Sequence, residues 1–143
     1  MSLPEPVPGL VIRYSFLWSD AADRGEAEGA KARPCAIVVA APSPAGGGIR
    51  TLVAPVTHAA PRDADASMEL PQAVCRALGL DGGRHWIRLD ELNRFAWPGY
   101  DLRPIPGSDR YAYGMSPRAV FEDMKRRILE LAQRRRSRTR SRD

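Results

Sequence analysis

The sequence predicts a mainly β protein with one C-terminal helix, an α+β fold in which a small, strongly bent barrel of short strands is closed by that helix. Its apolar segments are short and rich in β-branched and aromatic residues, clusters of Pro and Gly separate them, and apolar spacing at 3.6 residues is sustained only after Ser116. With 143 residues, 43% hydrophobic and 27% charged, the chain fits one globular domain with a single modest core.

Pro8-Gly9 precede Leu10 to Trp18, a β-rich run that reads as the first strand. Ser19 to Lys31 is polar, contains Gly25 and Gly29, and is far longer than a hairpin turn requires; it reads as a mobile loop of the kind that carries function. Arg33-Pro34 opens Cys35 to Ala40, apolar on both faces and therefore a buried central strand, which Pro42, Pro44 and Gly46-Gly47-Gly48 terminate. Ile49 to Thr57 is the next strand, and Gly47-Gly48 between the two predicts an antiparallel hairpin. Ser67 to Leu70 follows as a short strand, and Pro71, as first helical residue, starts a turn or two over Gln72 to Leu78 that Gly79 closes. His85 to Asp90 alternates as a strand, with Arg94 to Trp97 extending it beyond a kink. Residues 98–116, rich in Pro and Gly, read as loop. Ser116 caps and Pro117 begins the only long helix, where Val120, Phe121, Met124, Ile128 and Leu131 share one stripe.

The net charge of +5 is concentrated at one end. The last ten residues hold six arginines against Asp143; taking these from totals of 22 basic and 17 acidic residues leaves 16 of each in residues 1–133. The expected organisation is an N-terminal extension over 1–8, one domain over 9–133, and a disordered arginine-rich tail over 134–143. That tail either solubilises the chain or tethers RNA by salt-dependent, sequence-blind attraction. The longest apolar run, Ala36 to Pro42, is far short of the roughly 20 residues of a spanning helix, and the N-terminus lacks the basic and apolar regions of a secretory signal. No membrane association is expected, and the cytoplasm is the expected location. Cys35 and Cys75 sit in apolar stretches without a second Cys or His at ligand spacing and read as reduced core residues; no metal and no cofactor are expected. Neither a phosphate-binding glycine loop nor a nucleophile-elbow serine motif is present, which removes nucleotide-loop and serine-hydrolase chemistry.

Four blocks in order, Gly9 with Ile12, then Arg33-Pro34-Cys35-Ala36-Ile37-Val38-Val39, then Pro55-Val56-Thr57, then Ile87-Arg88-Leu89-Asp90-Glu91, resemble the MazF/PemK (Kid) family of bacterial toxin endoribonucleases over about residues 9–133. The resemblance implies an SH3-like barrel and a toxin of a type II toxin–antitoxin system that cuts single-stranded RNA without metal. It also implies a homodimer and a cognate antitoxin whose flexible tail lies across the RNA groove.

The residue types suit that chemistry. Attack by a ribose 2′-hydroxyl needs a base, an acid or cation at the leaving oxygen, and positive charge around the phosphate. Arg88 and Asp90 project to one face of a strand, two residues or about 6.6 Å apart, close enough to share a phosphate. By the family pattern Asp90 is the base, Arg88 the acid or phosphate clamp, Arg33 a second phosphate-holding or proton-donating cation, and Thr57 a hydrogen-bonder to the phosphate. His58 stands where a small hydroxyl residue is usual in the family; with an ordinary pKa of about 6.5 it suits proton transfer or phosphate binding, or is simply a solvated loop histidine. His85 reads as structural or exposed. Arg94, Trp97, Arg134, Arg135 and Arg136 are candidate RNA contacts, and Phe95, Trp97 and Tyr100 are either core or stacking platforms. Glu91 replaces the family's usual glutamine and adds negative charge beside the site unless it faces away. Without the family, Arg88 and Asp90 make an exposed same-face ion pair and Thr57 a strand-end hydroxyl. Two other classes therefore stand beside the nuclease: a non-catalytic SH3-like RNA- or protein-binding module, and a homo-oligomeric regulatory protein.

Overall fold

The computed structural model describes residues 3–26, 31–44 and 46–143. The fold is organised by one mainly antiparallel sheet: β1 (Leu10–Ser15), β2 (Ala32–Pro42), β3 (Ile49–Thr57), β4 (Ser67–Glu69), β5 (Trp86–Arg88), β6 (Glu91–Ala96), β7 (Ala112–Met115) and β8 (Arg138–Ser141). Among the described residues three α-helices accompany it, α1 (Ser19–Asp23), α2 (Gln72–Ala77) and the long α3 (Arg118–Gln133), with a single 3-10 turn at Ala64–Ala66. The main path runs β4-β5-β3-β2-β1-β7 and does not close on itself, with β6 branching from β3 and β8 from β6.

The predicted hairpin is present: β2 and β3 pair antiparallel from Pro42 opposite Ile49 to Cys35 opposite Pro55, with an irregularity between Ile37 and Val39. Because strand side chains alternate, β1 to β3 feed two cores at once. Val11, Ala36, Val38, Ala54 and Val56 point to one, where Met124, Ile128 and Leu131 of α3 cover them. Ile12, Tyr14, Cys35, Ile37 and Val53 point to the other, against Phe95 and Leu102. Both cysteines are free and buried, as the sequence reading expected.

Several boundaries differ from expectation. β1 ends at Ser15, and Ser19–Asp23 of the expected loop is helical; residues 27–30 of that loop lie outside the described residues. Pro71 precedes α2 rather than opening it. Ser116 does not cap α3: its Oγ donates to the Gly9 carbonyl at 2.8 Å, and Pro117 takes the cap position without a side-chain bond. The segment 98–116 contains β7, which pairs with β1 from Leu10 opposite Met115.

The largest correction concerns residues 134–143, expected to be a disordered tail. Arg138–Ser141 form β8, parallel to β6 with Glu91 opposite Arg138 and Arg94 opposite Ser141. Four arginines of residues 134–143 are held by carboxylates: Arg136 by Asp63, Arg138 by Asp20 and Asp23, Arg140 by Asp23, and Arg142 by Asp101 at 2.8 Å. The last pair is buried, with side chains 4% and 15% exposed, and Arg142 also donates to the Ser15 carbonyl at 2.7 Å. Main-chain pairing and ion pairs order a segment that has no apolar side chain to bury. Among the described residues no helix is long and apolar enough to cross a membrane.

Candidate functional site

Antiparallel pairing of β2 with β3 sets the start of β2 beside the end of β3, and β5 lies on the other side of that end, with Val56 opposite Ile87 and Thr57 opposite Trp86. Arg33, Thr57, His58 and Arg88 are therefore delivered to one margin of the sheet. A cleft of about 550 Å³ opens there, lined by Arg13, Lys31, Arg33, Thr57, His58, Asp81, His85 and Tyr113 among others. A smaller hollow of about 280 Å³ holds Arg88 and Asp90, and Ala59 borders both.

Arg33 is the unusual member. Its guanidinium is half-buried, its Nη1 reaches the Val56 carbonyl only at 3.5 Å, and its buried Nε has no hydrogen-bond partner. No described carboxylate pairs with it, and desolvation pushes its pKa below the ordinary guanidinium value. A desolvated cation lacking an internal anion is a site waiting for an external one. The guanidinium carbon lies 5.2 Å from the Trp18 ring centroid, and that of Arg88 lies 5.4 Å from the same ring. One indole thus gathers two cations from two strands, at a separation no greater than the sum of those distances. Trp18, assigned from the sequence only as the end of a strand, is the organising residue that the sequence reading missed.

Arg88 and Asp90 do lie together, closed on each other by two bonds, Nε to Oδ1 at 2.9 Å and Nη2 to Oδ2 at 3.0 Å. The pair is part-buried, with side chains 31% and 23% exposed, so both groups remain within reach of a ligand. The Thr57 hydroxyl accepts from the Ala59 N–H at 3.1 Å, which leaves its own proton free to donate. Glu91 faces away: it is buried and accepts from the Ser19 N–H at 2.8 Å, and burial raises its pKa above the ordinary carboxylate value.

His58 has both ring nitrogens engaged, Nδ1 3.0 Å from the Arg84 carbonyl and Nε2 3.1 Å from Asp81 Oδ2. A ring committed at both ends is a poor proton shuttle as it stands. His85 is buried rather than exposed, and burial lowers its pKa.

The remaining candidates do not join this cluster. Arg94 faces Leu52 across β3 and β6, and the Trp97 N–H bonds to the Ile49 carbonyl, eight residues from Thr57 along β3, or up to roughly 26 Å of extended strand. Phe95 is core, Trp97 is half-buried against the same cluster, and Tyr100 is 97% exposed. Arg134 and Arg135 are exposed beyond α3, while Arg136 is drawn to Asp63 beside the smaller hollow. No protein-family model, curated protein or solved structure matches the chain.

Proposed function

We propose that the chain binds single-stranded RNA across this margin and cuts it as a toxin endoribonuclease of the MazF/PemK type, on an SH3-like bent barrel. The observation that carries the reading is the uncompensated, half-buried Arg33 guanidinium beside Arg88 on a shared tryptophan. That arrangement suits a phosphate, and the half-buried Trp18 ring beside it is the aromatic group that could meet an unstacked base.

In this reading an RNA phosphate takes the Arg88 guanidinium and opens its ion pair with Asp90. The freed Asp90 carboxylate removes the 2′-hydroxyl proton as the 2′ oxygen bonds to phosphorus. The bond from phosphorus to the 5′ oxygen breaks, the leaving oxygen takes a proton from Arg33, and a 2′,3′-cyclic phosphate remains on the upstream fragment. Burial makes Arg33 a stronger acid than an exposed guanidinium, which favours that last transfer. Thr57 donates its hydroxyl to a non-bridging oxygen. We further propose a two-fold dimer and an antitoxin whose acidic segment satisfies Arg33 and Arg88 in place of RNA.

The closed Arg88–Asp90 pair favours a second reading, a module that binds RNA without cutting it, if phosphate fails to open the pair. Incubation of purified protein with unstructured RNA in EDTA separates the two. Cleavage with cyclic phosphate ends supports the nuclease, binding without cleavage supports the module, and the absence of both refutes the site.

A further inference from the structure

The chain has two histidines in 143 residues, and the fold brings both to one point: His58 and His85 have ring centroids 4.4 Å apart, with Asp81 touching both. We propose that His58, Asp81 and His85 form a binding site for one divalent transition-metal ion of the zinc type on the wall of the cleft.

The geometry of the donors carries this. One ligand atom from each residue lies within 4.8 Å of the others. Asp81 Oδ2 is 3.1 Å from His58 Nε2, and Asp81 Oδ1 is 3.4 Å from His85 Nε2. A tetrahedral ion about 2.0–2.1 Å from its nitrogen and oxygen ligands sets neighbouring donors roughly 3.3 Å apart; each contact is close to that spacing but is made by a different carboxylate oxygen, so a shared ion asks the exposed Asp81 carboxylate to turn one oxygen toward both nitrogens. The orientation of the His58 ring points the same way: a carbonyl only accepts, so Nδ1 donates to the Arg84 carbonyl, and Nε2 is the nitrogen turned toward the Asp81 carboxylate. A histidine that donates one nitrogen to a carbonyl and offers the other is also the usual orientation of a metal ligand.

The surrounding chain holds the trio in place. His58 follows the end of β3, His85 precedes β5, and the turn between α2 and His85 is shaped by the Gly83 N–H donating to Asp81 Oδ1 at 3.0 Å. A Cβ on Gly83 would stand 3.3 Å from Asp81 Oδ1 and 3.4 Å from the His58 ring, so the glycine lets the loop close on both ligands. Two imidazoles and one carboxylate select a borderline metal over magnesium or calcium, and three protein ligands leave a fourth position for water. None of the three takes part in the cleavage steps above, so the ion is independent of that reading.

The test is zinc competition with a chromophoric chelator on the full-length protein, together with thermal unfolding with and without zinc. One ion per chain is expected, with a raised unfolding temperature in zinc and no such rise in magnesium. His58→Asn and Asp81→Asn change exposed side chains and should each weaken binding about tenfold or more. Failure of the parent chain to bind zinc saturably, or equal binding by the His58→Asn, Asp81→Asn double variant, would overturn the site. RNA cleavage is not read in either arm.

Discussion

Two regions of the molecule carry candidate anion-binding arginines, and they differ in what the cations face. Residues 134–143 hold six arginines, four of which are matched to Asp20, Asp23, Asp63 and Asp101 and tie β8 to the rest of the sheet. The cleft region holds Arg33, which faces no described carboxylate although it is half-buried. A guanidinium already matched by an internal carboxylate is spent on stability; one left without a counter-charge in a cleft is available to a ligand. Charge count therefore points to the tail as the anion-binding element, whereas charge pairing points to the cleft.

Breaking the tail side of the comparison has the largest expected effect. Arg142→Ala leaves the part-buried Asp101 carboxylate without its cation and removes the bond to the Ser15 carbonyl, and should cost about 3–5 kcal/mol in urea unfolding. An unchanged midpoint would mean that β8 is not part of the fold's stability. On the cleft side, Asp90→Asn should lower single-turnover cleavage about 100-fold while leaving RNA affinity within a few-fold, because the amide removes the base and frees Arg88 for phosphate. Equal losses in affinity and rate would recast Asp90 as a positioning residue.

A smaller effect sharpens the comparison from a buried anion. Burial raises the Glu91 pKa, so the folded state holds this proton more tightly than the unfolded state. Its contribution is therefore full below the ordinary glutamate pKa and is lost as pH rises through the higher folded value. Glu91→Gln keeps an oxygen for the Ser19 N–H and should raise the unfolding midpoint at pH 8 but not at pH 4. A midpoint gain that is the same at both pH values would remove Glu91 as the source.

The parts of the fold that were readable in the sequence are those set by local chemistry. β3 was found to the residue because Gly47-Gly48 and the loop after Thr57 bound a β-rich run, and α3 because its apolar stripe repeats every 3.6 residues. β7 was hidden by the Pro and Gly around it, and β8 by its composition, since Arg138 to Ser141 have no apolar side chain to bury and depend on a partner strand and on carboxylates more than 100 residues away. The site followed the same rule. Arg88 and Asp90 could be paired from their spacing, although the expected single strand over His85 to Asp90 ends at Arg88 and Asp90 lies in the bend before β6; Thr57 could be placed at a strand end. Trp18 between Arg33 and Arg88, and His58 beside His85, are tertiary meetings with no local signature.

The central claim, that an unpaired cation in the cleft rather than the arginine-rich end carries RNA recognition, is tested most directly by equilibrium binding of a short unstructured RNA across a salt series. The proteins compared are the parent, Arg33→Ala, and the Arg134→Ala, Arg135→Ala double variant. Arg33→Ala should weaken binding about tenfold or more at physiological salt, while the double variant should lose about threefold or less and show a shallower salt dependence. A double variant that loses more affinity than Arg33→Ala would contradict the claim and return RNA binding to the C-terminal arginines.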